Sequence, residues 1–240
     1  MPVSRITERS LQIRRFGFMN CYLVREEDGL TLIDTAIGAA RIIVEAARHL
    51  NAPVRRILLT HAHIDHVGSV DALKPLIPDA SIFIGAREAR ILDEASRGVK
   101  REQMQLLPGE PQTPVKGGFK KVRSKPDTLL NENDRVGSLR VISTPGHTPG
   151  HISFLDERDG TLYSGDTLIG FGGLRPPFDP PWYFPLTKSA NWHPPTIQKS
   201  AEALLNFDIA RILAGHGPAV ENARPALERA IARGRAKLQQ

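Results

Sequence analysis

Thr60-His61-Ala62-His63-Ile64-Asp65-His66 follows directly on the apolar run Ile57-Leu58-Leu59. A short apolar run before a cluster of polar residues reads as a buried strand and the loop at its carboxyl end, where chemistry is usually placed. Three imidazoles and a carboxylate so close together repel or stay idle unless a cation lies among them. Borderline nitrogen and oxygen donors suit zinc, with iron and manganese as the alternatives. Capping of a following helix would account for Asp65 at most.

Further ligand types lie downstream in similar settings. His147 stands in Ser143-Thr-Pro-Gly-His-Thr-Pro-Gly-His-Ile-Ser153, Asp166 in Tyr163-Ser-Gly-Asp-Thr-Leu168, and His216 in Leu213-Ala-Gly-His-Gly-Pro218. Each follows an apolar strand and sits beside glycine, which lets the backbone approach a site closely. The gaps are 81 residues from His66 to His147, then 19 to Asp166 and 50 to His216, so the fold must assemble this site. His151, four residues after His147, is placed to support it from behind.

The surrounding pattern alternates strands and helices. Cys21-Val24 and Leu30-Ile33 flank the polar turn Glu26-Gly29 as an opening β-meander. Ile42, Val44, Ala46, Ala47 and Leu50 recur at helical intervals, and a second unit follows with a helix over Gly68–Leu76, a strand over Ser81–Ile84 and a helix over Ala86–Glu94. Strands are expected at Leu139–Ile142, His151–Leu155, Thr161–Tyr163 and Ile209–Leu213, and helices at Ile197–Leu205 and from Pro225. The expected organisation is one domain, 1–240, of two similar halves joined near 97–128.

Two segments are irregular by composition. Residues 97–125 hold eight bases against two acids, an excess as large as the +6 of the whole 240-residue chain. The simplest reading is an exposed connector, the other being a nucleic-acid footprint. Half of the residues from Gly170 to Pro185 are glycine or proline, which dictates a loop. Six of the chain's fourteen aromatics fall between Phe171 and Trp192, so this loop is a candidate substrate wall, with Phe171, Trp182, Tyr183, Trp192 and His193 as its contact residues.

The composition excludes several classes. With 40% hydrophobic residues the chain can bury a core, and no run approaches the roughly 18 apolar residues of a membrane span. The first twenty residues lack the apolar centre of a secretory signal, and the single Cys21 cannot form an intramolecular disulfide. A soluble, cytoplasmic protein without a membrane partner is expected.

With His61, His63, Asp65, His66, His147, Asp166 and His216 all present, the chain resembles the metallo-β-lactamase superfamily from the opening meander to Ala214-Gly-His-Gly217. The resemblance implies an α/β fold, a four-layer αββα sandwich with its site at one end of two sheets. It also implies two divalent metal ions, one held by His61, His63 and His147, the other by Asp65, His66 and His216, with Asp166 bridging them. Two cations about 3.5 to 4 Å apart would share a hydroxide and polarise a substrate oxygen. Asp65 is then the catalytic residue that orients the nucleophile and moves its proton. The presence of Asp65 and His66 argues against the superfamily's diiron oxygen-reducing branch, which replaces the second histidine of the motif with a carboxylate.

Within the superfamily the chain resembles two hydrolase groups in part. Quorum-sensing lactonases carry a tyrosine three residues beyond the bridging aspartate, where this chain has Ile169, so Tyr183 is the candidate to take its place. Glyoxalase II enzymes share Gly165-Asp-Thr-Leu168 and Gly172-Gly-Leu-Arg175 and use a basic C-terminal surface, to which Arg224, Arg229, Arg233, Arg235 and Lys237 would correspond. A metal-dependent hydrolase of a small ester, thioester or lactone is the expected function. A phosphodiesterase or nuclease using the basic 97–125 segment is the alternative, with only Phe119 there to stack on bases. A metal-free binding protein is the contrasting class, and the complete ligand set argues against it.

Overall fold

Residue alternation along the strands assigns the layers. The computed structural model describes residues 3–240 except 185 and 187 and the side chain at 188, so Pro185 of the proline-rich loop lies outside the described residues. The first sheet runs in order through β1 (Val3–Arg5), β2 (Ser10–Arg15), β3 (Met19–Glu26), β4 (Gly29–Ile33), β5 (Val54–Leu59), β6 (Ser81–Gly85) and β7 (Thr128–Leu130). It is antiparallel through β4 and parallel from β4 to β7. Helices α1 (Ala40–His49), α2 (Ile64–Val67), α3 (Val70–Leu73) and α4 (Ala86–Ser96) belong to its crossovers.

The second sheet is built from β8 (Arg135–Val136), β9 (Leu139–Ser143), β10 (Ile152–Asp156), β11 (Thr161–Gly165), β12 (Arg211–Ala214) and β13 (Val220–Glu221), with α5 (Pro194–Ala203) and α6 (Ala223–Leu238). Its one parallel pair is β11 with β12, the pair that α5 connects.

In β3, Cys21 and Leu23 face a core shared with α1, α3 and α4, while Tyr22 and Val24 face a second core between the sheets. β11 and β12 divide likewise: Leu162 and Ile212 pack with α5 and α6, Tyr163 and Leu213 pack between the sheets. Three cores between four layers make an αββα sandwich. Full burial of a side chain such as Leu58 or Phe154 contributes about 1.5–3 kcal/mol.

The sheets are pinned together at the carboxyl ends of the parallel strands. Asn20 Nδ2 donates to the carbonyls of Ala214 (3.0 Å) and Gly217 (2.7 Å), Tyr22 Oη donates to Ala214 (2.6 Å), and the Ile152 amide donates to the Thr60 carbonyl (3.1 Å).

Three differences from expectation have local causes. The helix expected over Gly68–Leu76 is broken, because the His66 carbonyl is taken by both the amide and the hydroxyl of Thr35 (2.8 and 2.7 Å). Residues 97–127 do not join the halves: β7 follows them and returns to the first sheet, and the passage to the second is the tight turn at 131–134. β7, β8 and β13 are two or three residues long, too short to show a period.

Candidate metal centre

All seven candidate ligands converge at the pinned end. His61, His63, Asp65 and His66 come from the loop after β5 and the start of α2, Asp166 follows β11, His216 follows β12, and His147 lies between β9 and β10. Three overlapping groups have ligand atoms within 4.8 Å of one another: His61, His63 and His147; His61, His66 and Asp166; Asp65, His66 and His216.

Hydrogen bonds on the outward side of each ring fix which nitrogen faces inward as a lone pair. The Thr60 hydroxyl donates to the Asp34 carboxylate (2.8 Å), so it accepts from His61 Nδ1–H (3.0 Å) and leaves Nε2 unprotonated. His63 Nε2–H donates to the Lys116 carbonyl (2.8 Å), leaving Nδ1. His147 Nδ1–H donates to Asn191 Oδ1 (2.8 Å), and His216 Nδ1–H to the Phe18 carbonyl (2.9 Å), leaving Nε2 in each. His66 Nδ1–H donates to Asp34 Oδ2 (2.7 Å).

Lone pairs so oriented crowd each other. His61 Nε2 lies 3.1 Å from His63 Nδ1, which lies 2.9 Å from His147 Nε2. Asp166 Oδ2 sits between the two groups, 3.3 Å from His147 Nε2 and 3.2 Å from His216 Nε2, and Asp65 Oδ2 is 3.3 Å from His216 Nε2. Among the described residues, His66 Nε2, His216 Nε2 and Asp166 Oδ1 are fully buried without a hydrogen-bond partner. Leaving such an atom unsatisfied costs about 1–3 kcal/mol, and a bound cation removes that cost. This donor set fits divalent metal.

The electrostatics separate the two groups. Burial, then neighbouring imidazoles, pushes His61 well below its ordinary range and His63 down to about 3. Burial also lowers His147, against the pull of Asp166. Burial opposes charge on His66 and His216 too, but Asp166 and the other carboxylates outweigh it, raising His66 strongly and His216 to about 10. The same pairing holds Asp65 and Asp166 below the usual carboxylate range despite burial. Three neutral imidazoles stand ready for one cation. At the other group, the carboxylates draw positive charge toward His66 and His216, charge that a second cation would supply.

Several supporting residues escaped the sequence reading. Asp34, at the end of β4, braces both His66 and, through Thr60, His61. Asn191 braces His147 and donates through Nδ2 to the Pro177 carbonyl (3.1 Å). His151, unlike these, is expected from the sequence as a support, and its Nε2 accepts the Asp166 amide (3.0 Å) behind the carboxylate. Glu88 of α4 is fully buried and accepts from the amides of Ala62 (2.8 Å) and Gly150 (2.9 Å) and the Thr148 hydroxyl (2.9 Å), tying the His61–His63 loop to the His147 loop. Only strand-end position marked Asp34 in the sequence; nothing local marked Glu88.

Five of the ligands, His63, Asp65, His147, Asp166 and His216, floor a cavity of about 230 Å³ whose walls include Phe184 and Leu186 of the aromatic loop. The five expected contact residues are not among its lining. Trp192 is buried in the first core, its indole N–H donating to the Thr113 carbonyl (2.8 Å), because that ring fills space beneath the connector. His193 caps the start of α5, its Nδ1 bonded to Thr196 Oγ1 (2.7 Å). Phe171 packs against Phe184, 5.4 Å between centroids. Trp182 is 95% exposed, and Tyr183 is half exposed with its hydroxyl against Gly172, turned from the lactonase-like role. On α6, Arg224 pairs with Glu228, Arg233 with Asp179 and Arg235 with Glu202, so three of the five bases expected to form an anion surface are already partnered.

A sandwich with this site defines a class, and comparison with known proteins agrees. The family model of the metallo-beta-lactamase superfamily matches residues 14–216, and the chain belongs to that superfamily and is a hydrolase of it. The chain is 40% identical to the uncharacterized protein YobT of Bacillus subtilis (strain 168), over 89% of each. It is 28% identical to the hydroxyacylglutathione hydrolase GloC of Haemophilus influenzae, over 82% of this chain and 85% of that one. The solved structure of TTHA1623 in a di-iron-bound form superposes with a TM-score of 0.60 at 26% identity, covering 87% of this chain and 92% of that one. Among the described residues no helix is long and apolar enough to cross a membrane.

Proposed function

We propose that the chain is a binuclear-metal hydrolase of a small ester, thioester or lactone. The observation that carries this reading is the set of seven donors whose inward atoms are lone pairs or unpartnered buried atoms beneath an apolar cavity. In this reading His61, His63 and His147 would hold one ion and Asp65, His66 and His216 the other, with Asp166 placed between the two groups. Zinc is the first choice, with iron or manganese as the alternatives. Such a centre supplies polarisation of an acyl oxygen and a water of lowered pKa.

The chain's own residues do the rest. The Asp65 side chain is 14% exposed, more open than the 6% of Asp166, and its Oδ2 is the place to hold and pass the proton of the attacking water. Asp34, Asn191 and the Phe18 and Lys116 carbonyls keep the imidazoles in register, as supports behind metal ligands do. The likeness to hydroxyacylglutathione hydrolase supports an acyl compound, thioester first.

In this reading residues 1–240 act as one domain, since both sheets supply ligands, and the unpaired Cys21 fits a cytoplasmic setting. Nucleic acid has no part in this reading, which is supported by the engagement of four of the eight bases of 97–125: Arg97 pairs with Asp93, Arg101 with Glu102, Arg123 with Asp71, and Lys120 Nζ donates to the Gly68 carbonyl.

Asp65→Ala is expected to fold and to lose at least about 1,000-fold in turnover, with metal analysis of wild type giving two equivalents per chain. Full activity in that variant removes the role of Asp65, and a single equivalent removes the second ion.

A further inference from the structure

The turn between β2 and β3 stands at the rim of the cavity. The Phe18 amide donates to the Arg15 carbonyl (3.1 Å) and closes it, with Phe16 and Gly17 between them at φ of +51° and +80°. Its far side is tied to the metal centre, since the Phe18 carbonyl accepts His216 Nδ1–H (2.9 Å) and the Asn20 amide donates to the Gly215 carbonyl (2.8 Å). Arg15 therefore sits on a turn whose place is fixed relative to the ligands.

The direction of its side chain follows from the ladder. Arg15 pairs with Met19, and paired residues of an antiparallel ladder project to one face with Cβ atoms about 5 Å apart. Met19 lines the cavity, as does Ile37. The guanidinium reaches the residue next to Ile37: a Cβ on Gly38 would lie 3.8 Å from Arg15 Nη2 and 4.0 Å from Nε. Gly38 is exposed, so the cation stands where the wall meets solvent. The cavity, of about 230 Å³, has the room of roughly eight water molecules at about 30 Å³ each, so the remainder of all but the smallest substrates extends past this rim.

The cation is held there without an acceptor. Its guanidinium carbon lies 4.2 Å from the centre of the Phe16 ring, which is 57% exposed and carried by a left-handed residue, a conformation that bulky side chains rarely adopt. Stacking covers one face of a guanidinium and leaves the forked N–H donors of its edge available. Arg15 Nε is fully buried without a hydrogen-bond partner, and among the described residues no carboxylate pairs with the side chain. The first turn of α1, which starts just beyond Gly38, holds no acid. Arg14, the next residue back, is by contrast engaged by Asn20 Oδ1 (3.4 Å) and Gln12 Oε1 (3.2 Å). A buried cationic donor without an acceptor is unfavourable, and an anion at the rim supplies one.

We infer that Arg15 takes up an anionic group of the substrate, a carboxylate or a phosphate, carried on the part that stays outside the cavity while the acyl group reaches the metal centre. This deepens the hydrolase reading and rests on it for the orientation of the substrate.

The test uses metal-loaded protein and butyryl thioesters of three thiols: 3-mercaptopropionamide, 3-mercaptopropionate and 2-mercaptoethyl phosphate. In wild type at least one charged compound is expected to exceed the neutral one at least about tenfold in kcat/KM, and the better of the two names the anion. Arg15→Gln, compared at equal metal content, is expected to bring the charged-to-neutral ratio down at least about tenfold, and Arg15→Lys, which keeps the charge, to recover part of it. Comparing the ratio between proteins cancels differences in leaving-group reactivity. A preference that survives in Arg15→Gln belongs to the metal centre and overturns the inference, as does a lysine variant no better than the glutamine one. Unreactive ketone analogues, with a methylene between carbonyl and sulfur, are titrated by calorimetry into wild type and Arg15→Gln and must show the same pattern. If no thioester is cleaved, nor the matching esters and lactones, the hydrolase reading fails, while the titration still decides the role of Arg15: equal binding of charged and neutral ketones to wild type overturns it.

Discussion

The connector at 97–127 and the loop at 170–192 are both irregular and both reach the metal centre, but through different parts of the chain. The connector works with its backbone. The Lys116 carbonyl orients His63, the Gly118 carbonyl accepts the Ile64 amide (2.9 Å), and Gly117 lies against the His63 ring, where a Cβ would come 1.9 Å from Nε2. Phe119 stacks edge-on to the same ring at 4.9 Å. Of the segment's exposed cations, Arg101 meets this backbone, its Nη1 donating to the Gly117 carbonyl (3.3 Å). The aromatic loop works with side chains, and selectively: Phe184 and Leu186 form wall, Trp192 forms core, and Trp182 meets solvent. Composition drew attention to the bases of one segment and the rings of the other. In the first it pointed to the wrong atoms, and in the second to the right loop but the wrong members.

The sharpest way to break this comparison is Gly117→Val. Gly117 has φ of +106°, in the region that favours glycine, and a side chain there collides with His63. The variant is expected to lose one metal equivalent and at least about 100-fold in activity, read by metal analysis and steady-state kinetics, since a displaced support of a metal ligand costs 10–100-fold and here the ligand itself moves. Retention of both ions would reduce the connector to a cover.

Glu88 tests the clasp on the other side of the ligand loops, beside Arg87, which anchors the connector through Glu110 (2.6 Å). Burial pushes the Glu88 carboxyl from 4.5 up to about 7 against its three hydrogen-bond donors. The neutral form is therefore favoured in the fold. Its contribution is complete below pH 4.5 and is lost as pH rises through 7. Wild type is expected to lose about 3 kcal/mol across that window relative to Glu88→Gln, from urea unfolding at a series of pH values. Parallel pH profiles would show that Glu88 is ionised throughout.

Smaller effects sharpen the division within the aromatic loop. Phe184→Ala is expected to raise KM about tenfold with little change in kcat, as the loss of a partly buried ring from a wall implies, whereas Trp182→Ala changes neither. The smallest effect belongs to charge: Lys121→Gln with Lys125→Gln, both exposed, is expected to shift kcat/KM less than about twofold, read at low salt. A larger shift would return the basic segment to substrate recognition.

Much of the fold was legible because its signals are local. The runs Ile57–Leu59 and Thr161–Tyr163 became buried strands, and the apolar stripe of α1 became a helix packed on the first sheet. The broken helix after His66 was not legible, because its interruption is set by Thr35, thirty-one residues earlier in the chain. β7 and the turn at 131–134 were missed because a three-residue edge strand is defined by its partner, β6, and not by its own pattern.

The candidate ligands divide in the same way. Histidines and aspartates beside glycine at strand ends declare their chemistry by residue type, and the sequence by itself determined which seven side chains were candidates and that a metal-dependent hydrolase was the reading to test. It could not determine which ring nitrogen faces inward, because that is set by Asp34, Asn191, the Lys116 carbonyl and the Phe18 carbonyl, each remote in the chain from at least one ring it orients. Nor could it choose which aromatics line the cavity, since rings two residues apart on an irregular loop have no fixed period to separate inside from outside. Only the tertiary structure decided those points, because hydrogen-bond direction and burial are properties of neighbours brought together by folding.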